Sequence, residues 1–172
     1  MWQLIYDNSP WPDKPKLSRN LVSATHSFLT VALLTARYGI KYELVVLNSA
    51  SYFIWDLIYM FRRRLEPLYV YHHLMVIWFL LSDVEHLKII DVVYYGELSN
   101  IFNYIVYHCI QQNIPNYYLR VVQAFWFSYF RIWIGFQQIK KYYYYSLVNN
   151  CLLGIYFLAI FWSFKLFKNL LK

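Results

Sequence analysis

The sequence predicts an all-α polytopic membrane protein, with about six transmembrane helices arranged around a central cavity. Three observations carry that reading. Apolar residues make up 60% of the chain and charged residues only 15%, a balance that a water-soluble domain of this length does not show. The apolar residues fall into long runs separated by short polar breaks. All five prolines lie outside those runs, where a ring without an N–H interrupts no helix. In hydrocarbon each segment must satisfy its own backbone hydrogen bonds, so each run is read as a helix.

The elements follow in order. Residues 1–18, with Pro10, Pro12 and Pro15, form a cytosolic N-terminal segment without the pattern of a cleaved signal peptide. Helices are predicted over 20–39 and 44–61, then after Pro67 over 69–82, and next over 88–109. After Pro115 they continue over 119–137 and 150–168, leaving a short cytosolic tail at 169–172. The transmembrane domain is therefore 19–168. The run at 69–82 is shorter than the roughly 20 residues a span prefers and must borrow polar flanks. Asp83, Glu85 and His86 read as a solvated turn.

Basic residues orient this arrangement. With six spans, Lys14, Lys16, Arg19, Arg62, Arg63, Arg64, Arg120, Lys165, Lys168 and Lys172 share the side of both termini. Only Arg37, Lys41, Lys88, Lys140 and Lys141 lie on the other side, and ten against five puts both termini in the cytosol. The same placement argues against nucleic acid as the partner of a +7 chain, because the cations flank apolar runs and meet lipid headgroups instead. The 19 Tyr and 7 Trp suit aromatic belts at that level. Cys109 and Cys151 fall at opposite membrane faces and cannot pair.

Polar residues inside the runs are the candidate functional groups, since an ionisable side chain at the bilayer centre costs about 2.5–3.5 kcal/mol on insertion scales. Helical spacing sorts them into stripes. Arg19, Ser23, His26 and Thr30 share one face of the first helix, and Ser49, Tyr52 and Asp56 one face of the second. The fourth carries Glu97, Asn100, Tyr104 and His108, with Ser99, Asn103 and Tyr107 beside them; the fifth carries Ser128, Arg131, Gly135 and Gln138. His26, Asp56 and the pair His72-His73 each lie about four to seven residues inside the cytosolic edge, roughly 6–10 Å deep. That shared depth predicts one cavity lined by all four. Asp56 is expected to orient one histidine ring and leave its other nitrogen for base or nucleophile chemistry. Glu97 and Arg131, nearer the midplane, are expected to form a hydrogen-bonded ion pair. Five histidines without HxxxH or HxxHH spacing predict no metal site, and neither a nucleophile elbow nor a phosphate-cradling glycine loop is present.

These residues together resemble the TLC-domain family, which includes ceramide synthases, translocation-associated membrane proteins and a set of small homologues. The matching residues are Arg19, Ser23 and His26, then Ser51-Tyr-Phe-Ile-Trp-Asp56, then His72-His73, Glu97-Leu-Ser99 with Phe102, and finally Arg131. In order and spacing they cover about 19–168, and the chain looks closest to the small homologues. It departs from them in reading Ser99-Asn100-Ile101-Phe102, without their proline, and from the synthases in having Met75 and Val76 after the histidine pair. The resemblance implies a six-helix membrane domain around a cavity that accepts a lipid or acyl chain, in the endoplasmic reticulum or another internal membrane.

The leading functional reading is lipid binding or handling, with membrane lipid as partner and no cofactor. Under it His72, His73 and Asp56 form the reactive cluster, while Arg19, Ser23, His26, Glu97, Ser99 and Arg131 line the lipid site. The enzymatic alternative is N-acyl transfer of ceramide-synthase type, with acyl-CoA as cosubstrate and the histidine pair as catalyst. The non-enzymatic alternative is a trafficking or translocon-associated factor.

Overall fold

The structure, a computed structural model, describes residues 1–36, 42–63, 66–82, 86–142 and 146–171. The turn expected at Asp83 and Glu85, and the loop charges Arg37, Lys41, Arg64 and Lys172, lie outside the described residues. Within them all regular structure is helical and no strand occurs, as an all-α class requires.

A short helix α1 (Trp2–Asp7) leads into α2 (Pro15–Thr35), which opens with proline in its first turn, where the missing N–H costs nothing. Next come α3 (Tyr42–Arg63) and α4 (Pro67–Leu81), which again opens on a proline. Two of the helical segments, Tyr42–Arg63 and Asn149–Leu170, are long and apolar enough to cross a membrane, whereas Pro67–Leu81 is apolar but shorter.

The run expected as one helix at 88–109 is broken into α5 (His86–Leu98) and α6 (Ile101–Gln111). The cause is local. Asn100 N–H bonds to the Glu97 carbonyl at 3.0 Å, a three-residue step, while the Gly96 carbonyl takes the Ser99 hydroxyl at 2.6 Å and the Arg131 guanidinium at 2.9 Å. Side chains thus replace one rung of the helical ladder, which bends the rod there. The fifth run is continuous but irregular, passing from α7 (Tyr117–Ser128) through a π-helical turn (Tyr129–Ile134) into α8 (Gly135–Tyr142). The last helix is α9 (Leu147–Leu170), capped by Ser146 accepting from Asn149 N–H.

Neighbour relations close these elements into a ring of rods. The α2 rod packs on α3, α3 on α4, α4 on α9, α9 on α7, α7 on α6, and α6 back on α2. Polar residues point into the ring. Ser49, Asp56, His26, Ser27 and Thr30 are all buried. The outer faces are apolar, with Leu47, Ile54 and Phe61 of α3, Leu74 and Trp78 of α4, and Phe157 and Phe164 of α9 all exposed.

The N-terminal segment is not a detached arm. Trp2 is 4% exposed, its indole N–H donates to Ser51 Oγ at 3.0 Å, and its ring meets His26 and Tyr52 edge-on at 5.7 Å each. It belongs to the same apolar cluster as Val22, Phe53, Phe79 and Ile89. The Pro10–Pro15 stretch marked a loop but gave no sign that the residues before it turn back onto α2 and α3. Trp2→Ala should therefore lower the unfolding free energy by about 3–5 kcal/mol, the cost of emptying a buried aromatic site. Leu4→Ala, at an exposed position on the same helix, should leave the denaturation midpoint in detergent unchanged.

Candidate functional site: a buried polar network inside the ring

Asp56 sits at the centre of the site, 2% exposed on the inner face of α3. Arg19 of α2 grips it with a two-pronged fork, Nε to Oδ1 at 2.6 Å and Nη2 to Oδ2 at 2.8 Å. His73 of α4 adds a third contact from Nε2 to Oδ2 at 2.8 Å. Three rods therefore converge on one carboxylate. Such charge-assisted, bidentate contacts are the strong class of hydrogen bond and fix geometry as well as energy. The Arg19 guanidinium also lies over the Tyr59 ring, 5.3 Å from its centroid.

The two histidines have different surroundings. His73 uses both ring nitrogens, because Nδ1 lies 2.8 Å from the Tyr69 carbonyl one turn earlier in its own helix. Both of its partners are oxygen atoms that accept, and they occupy the two ring nitrogens. The expectation that the aspartate-bound histidine keeps a free nitrogen is thus corrected: the helix backbone takes it. His72 points elsewhere, as the roughly 100° step between neighbours requires. It packs edge-on against Trp162 of α9 at 5.3 Å, and its buried Nδ1 has no hydrogen-bond partner.

One turn away from Asp56, His26 stacks flat on Tyr52 with ring centroids 4.0 Å apart. Tyr52 donates to Ser23 Oγ at 2.8 Å, and Ser23 in turn donates to the Arg19 carbonyl at 3.0 Å. His26 Nε2 lies 3.4 Å from Ser49 Oγ, while its Nδ1 lacks a hydrogen bond and lies 3.7 Å from Glu97 Oε2. Glu97 accepts the Ser27 hydroxyl, which also lies 3.3 Å from Tyr104 Oη. Arg19, Ser23, His26, Asp56 and His73 are thus linked through contacts across α2, α3 and α4.

The expected Glu97–Arg131 ion pair is not formed. Arg131 donates from Nε to Ser99 Oγ at 2.7 Å and from Nη2 to the Gly96 carbonyl at 2.9 Å, with Asn100 Oδ1 at 3.4 Å. The reason is angular: residues 96, 99 and 100 share a face of the α5 rod, whereas 97 lies about 100° from 96 and turns toward α2. The π-helical turn that holds Arg131 adds a second shift in side-chain direction.

Sequence reasoning passed over two further participants. Ser27 was findable, since it lies four residues after Ser23 on the same face. Lys88 was assigned to a loop at the far side, yet it is 2% exposed and donates to the buried Asn149 of α9. No family model, curated protein or solved structure matches this chain. The chemistry therefore has to be argued from the residues themselves.

Removing the central carboxylate leaves the Arg19 guanidinium without its counter-ion and the His73 Nε2 without its acceptor. Asp56→Ala should lower stability by about 3–5 kcal/mol, and Arg19→Ala combined with it should lose less than the sum of the single losses. Chemical unfolding of the four proteins in detergent gives the coupling directly, and simple additivity would separate Arg19 from Asp56 energetically.

Proposed function

We propose that this chain is a TLC-like multi-pass membrane protein that binds or handles a lipid or its acyl chain. It crosses an internal membrane six times with both termini cytosolic. The observation that carries this reading is the inversion of polarity: ionisable groups gather inside the ring while large apolar side chains cover its outside. Such an outer surface fits hydrocarbon rather than water. Buried ionisable groups at membrane depth, in turn, are retained for function more often than for packing.

Further support comes from the ring itself, whose six rods equal the number of spans read from the apolar runs. Within it, His72 is the group best placed to meet a ligand, because its ring lies inside the bundle and its buried Nδ1 has no hydrogen-bond partner among the described residues. Epitope tags at the two ends should both be reached by antibody when the plasma membrane alone is permeabilised; tags on opposite faces would refute six spans. Lipid mass spectrometry of the gently purified protein should find a co-purifying lipid. His72→Ala should lose at least half of it without a fall in yield, since the ring nitrogen it removes bonds to nothing. Equal lipid in the two proteins would remove His72 from the site.

One observation favours a second reading, N-acyl transfer from acyl-CoA. A buried imidazole with an unpaired nitrogen is a nucleophile or base awaiting a substrate. Labelled acyl-CoA should then pass its acyl group to a lipid amine in the presence of the wild-type protein and fail to do so with His72→Ala.

A further inference from the structure

Arg131 presents a problem that the polar network does not solve. It lies about 20 Å along the rod that begins at Tyr117, far from either end. Among the described residues no carboxylate forms an ion pair with it. Its Nε and Nη2 are bonded to neutral oxygens of the α5–α6 junction, and its guanidinium carbon lies 5.6 Å from the Phe127 ring centroid. Nη1 has no hydrogen-bond partner among the described residues. Neutral acceptors and a ring face soften a half-buried cation but leave it without a hydrogen-bonded counter-ion.

The same side chain lines a partly open cavity of about 50 Å³ where α5, the π-helical turn with α8, and α9 converge. The walls are largely apolar, formed by Phe130, Leu152, Ile155 and Ala159 with the rings of Tyr95 and Tyr156, and they include Gln138, whose buried Oε1 has no hydrogen-bond partner among the described residues. A cation without a bonded counter-ion and an unpaired amide oxygen in a largely apolar slot make a recognisable combination. The slot wants one anionic head followed at once by hydrocarbon.

We propose that this slot binds a single-chain lipid carboxylate, a long-chain fatty acid, with its head on Arg131 Nη1 and Gln138. Its first methylenes run along Ile155 and Ala159. The proposal rests on the lipid-handling reading above and assigns it a ligand class and a second location, separate from the Arg19–Asp56–His73 cluster. Charge matching selects the carboxylate, since one guanidinium neutralises one negative charge and a phosphate monoester carries nearly two. Size agrees, because a cavity of about 50 Å³ that opens on one side admits a carboxyl group and the carbons next to it. Gln138 can serve either protonation state, its amide donating to a carboxylate through Nε2 or accepting from a carboxylic acid through Oε1.

The test uses the full chain, purified in detergent and shown to be monodisperse, with retention of palmitate, hexadecanol and hexadecyl phosphate measured in parallel. Palmitate should bind at least tenfold more tightly than hexadecanol and more tightly than hexadecyl phosphate. Arg131→Gln should weaken palmitate tenfold or more and leave hexadecanol unchanged. If that variant does not fold, Ala159→Leu fills the slot while leaving the guanidinium and its acceptors in place, and it should weaken palmitate to the same degree. Equal binding of palmitate and hexadecanol would overturn the carboxylate assignment while leaving lipid handling intact. Tighter binding of hexadecyl phosphate, no palmitate binding at all, or undiminished palmitate binding by Ala159→Leu would each overturn the proposal.

Discussion

Everything inside the ring depends on keeping one carboxylate charged in a place that water does not reach. Asp56 can stay ionised there only if its partners come to it, and they come from both neighbouring rods, Arg19 from α2 and His73 from α4. That requirement fixes the rotation of three helices at once. With Asp56 turned inward, Ser49 and Tyr52 of the same stripe turn inward with it, and Ile54, Ile58 and Phe61 turn out. The apolar exterior and the polar interior are thus two consequences of one electrostatic constraint.

The second half of the ring is held differently. Around Arg131 the backbone itself supplies acceptors, and it does so by giving up regular helix. The Gly96 carbonyl is freed from the ladder at the α5–α6 break, and the guanidinium arrives through a π-helical turn. Two helical irregularities facing one another across a single arginine are hard to read as independent accidents, since each supplies what the other lacks. Irregular backbone of this kind is tolerated at depth only where protein or a cavity covers it.

The sequence made the faces legible but not the partners. Stripes at three- and four-residue steps identified Ser23, His26, Thr30, Ser49, Tyr52 and Asp56 as one side of their helices, and those residues are buried. The reason is that side-chain direction within a helix follows from spacing alone. Which stripe meets which is a tertiary matter. Glu97 and Arg131 had opposite charges and similar depth, yet they are not bonded to each other: Glu97 takes the Ser27 hydroxyl of α2, while Arg131 donates to Ser99 and the Gly96 carbonyl. The inward fold of Trp2 was invisible for a related reason: a six-residue helix carries too little periodicity to announce a buried face. Lys88 misled because charge near the end of a run normally marks a loop, whereas here Asn149 waits on the opposite helix to receive it.

The adjacent histidines show how one dipeptide can hold two chemically different groups. On a helix the two rings diverge, so a single motif reaches two environments without any change in the backbone. His73 faces α3 and meets oxygen atoms at both nitrogens; with both engaged, it is a strut between Asp56 and the backbone of its own helix. His72 faces α9, where Trp162 supplies an aromatic edge but no acceptor, and its Nδ1 is left without a bond. A buried imidazole in that state is costly to keep unless something else completes it. The strut and the vacant nitrogen are also linked mechanically, since His73's grip on Asp56 sets the rotation of α4 and therefore the direction in which His72 points. The pair works as a unit in which the position of one histidine fixes the direction of its neighbour.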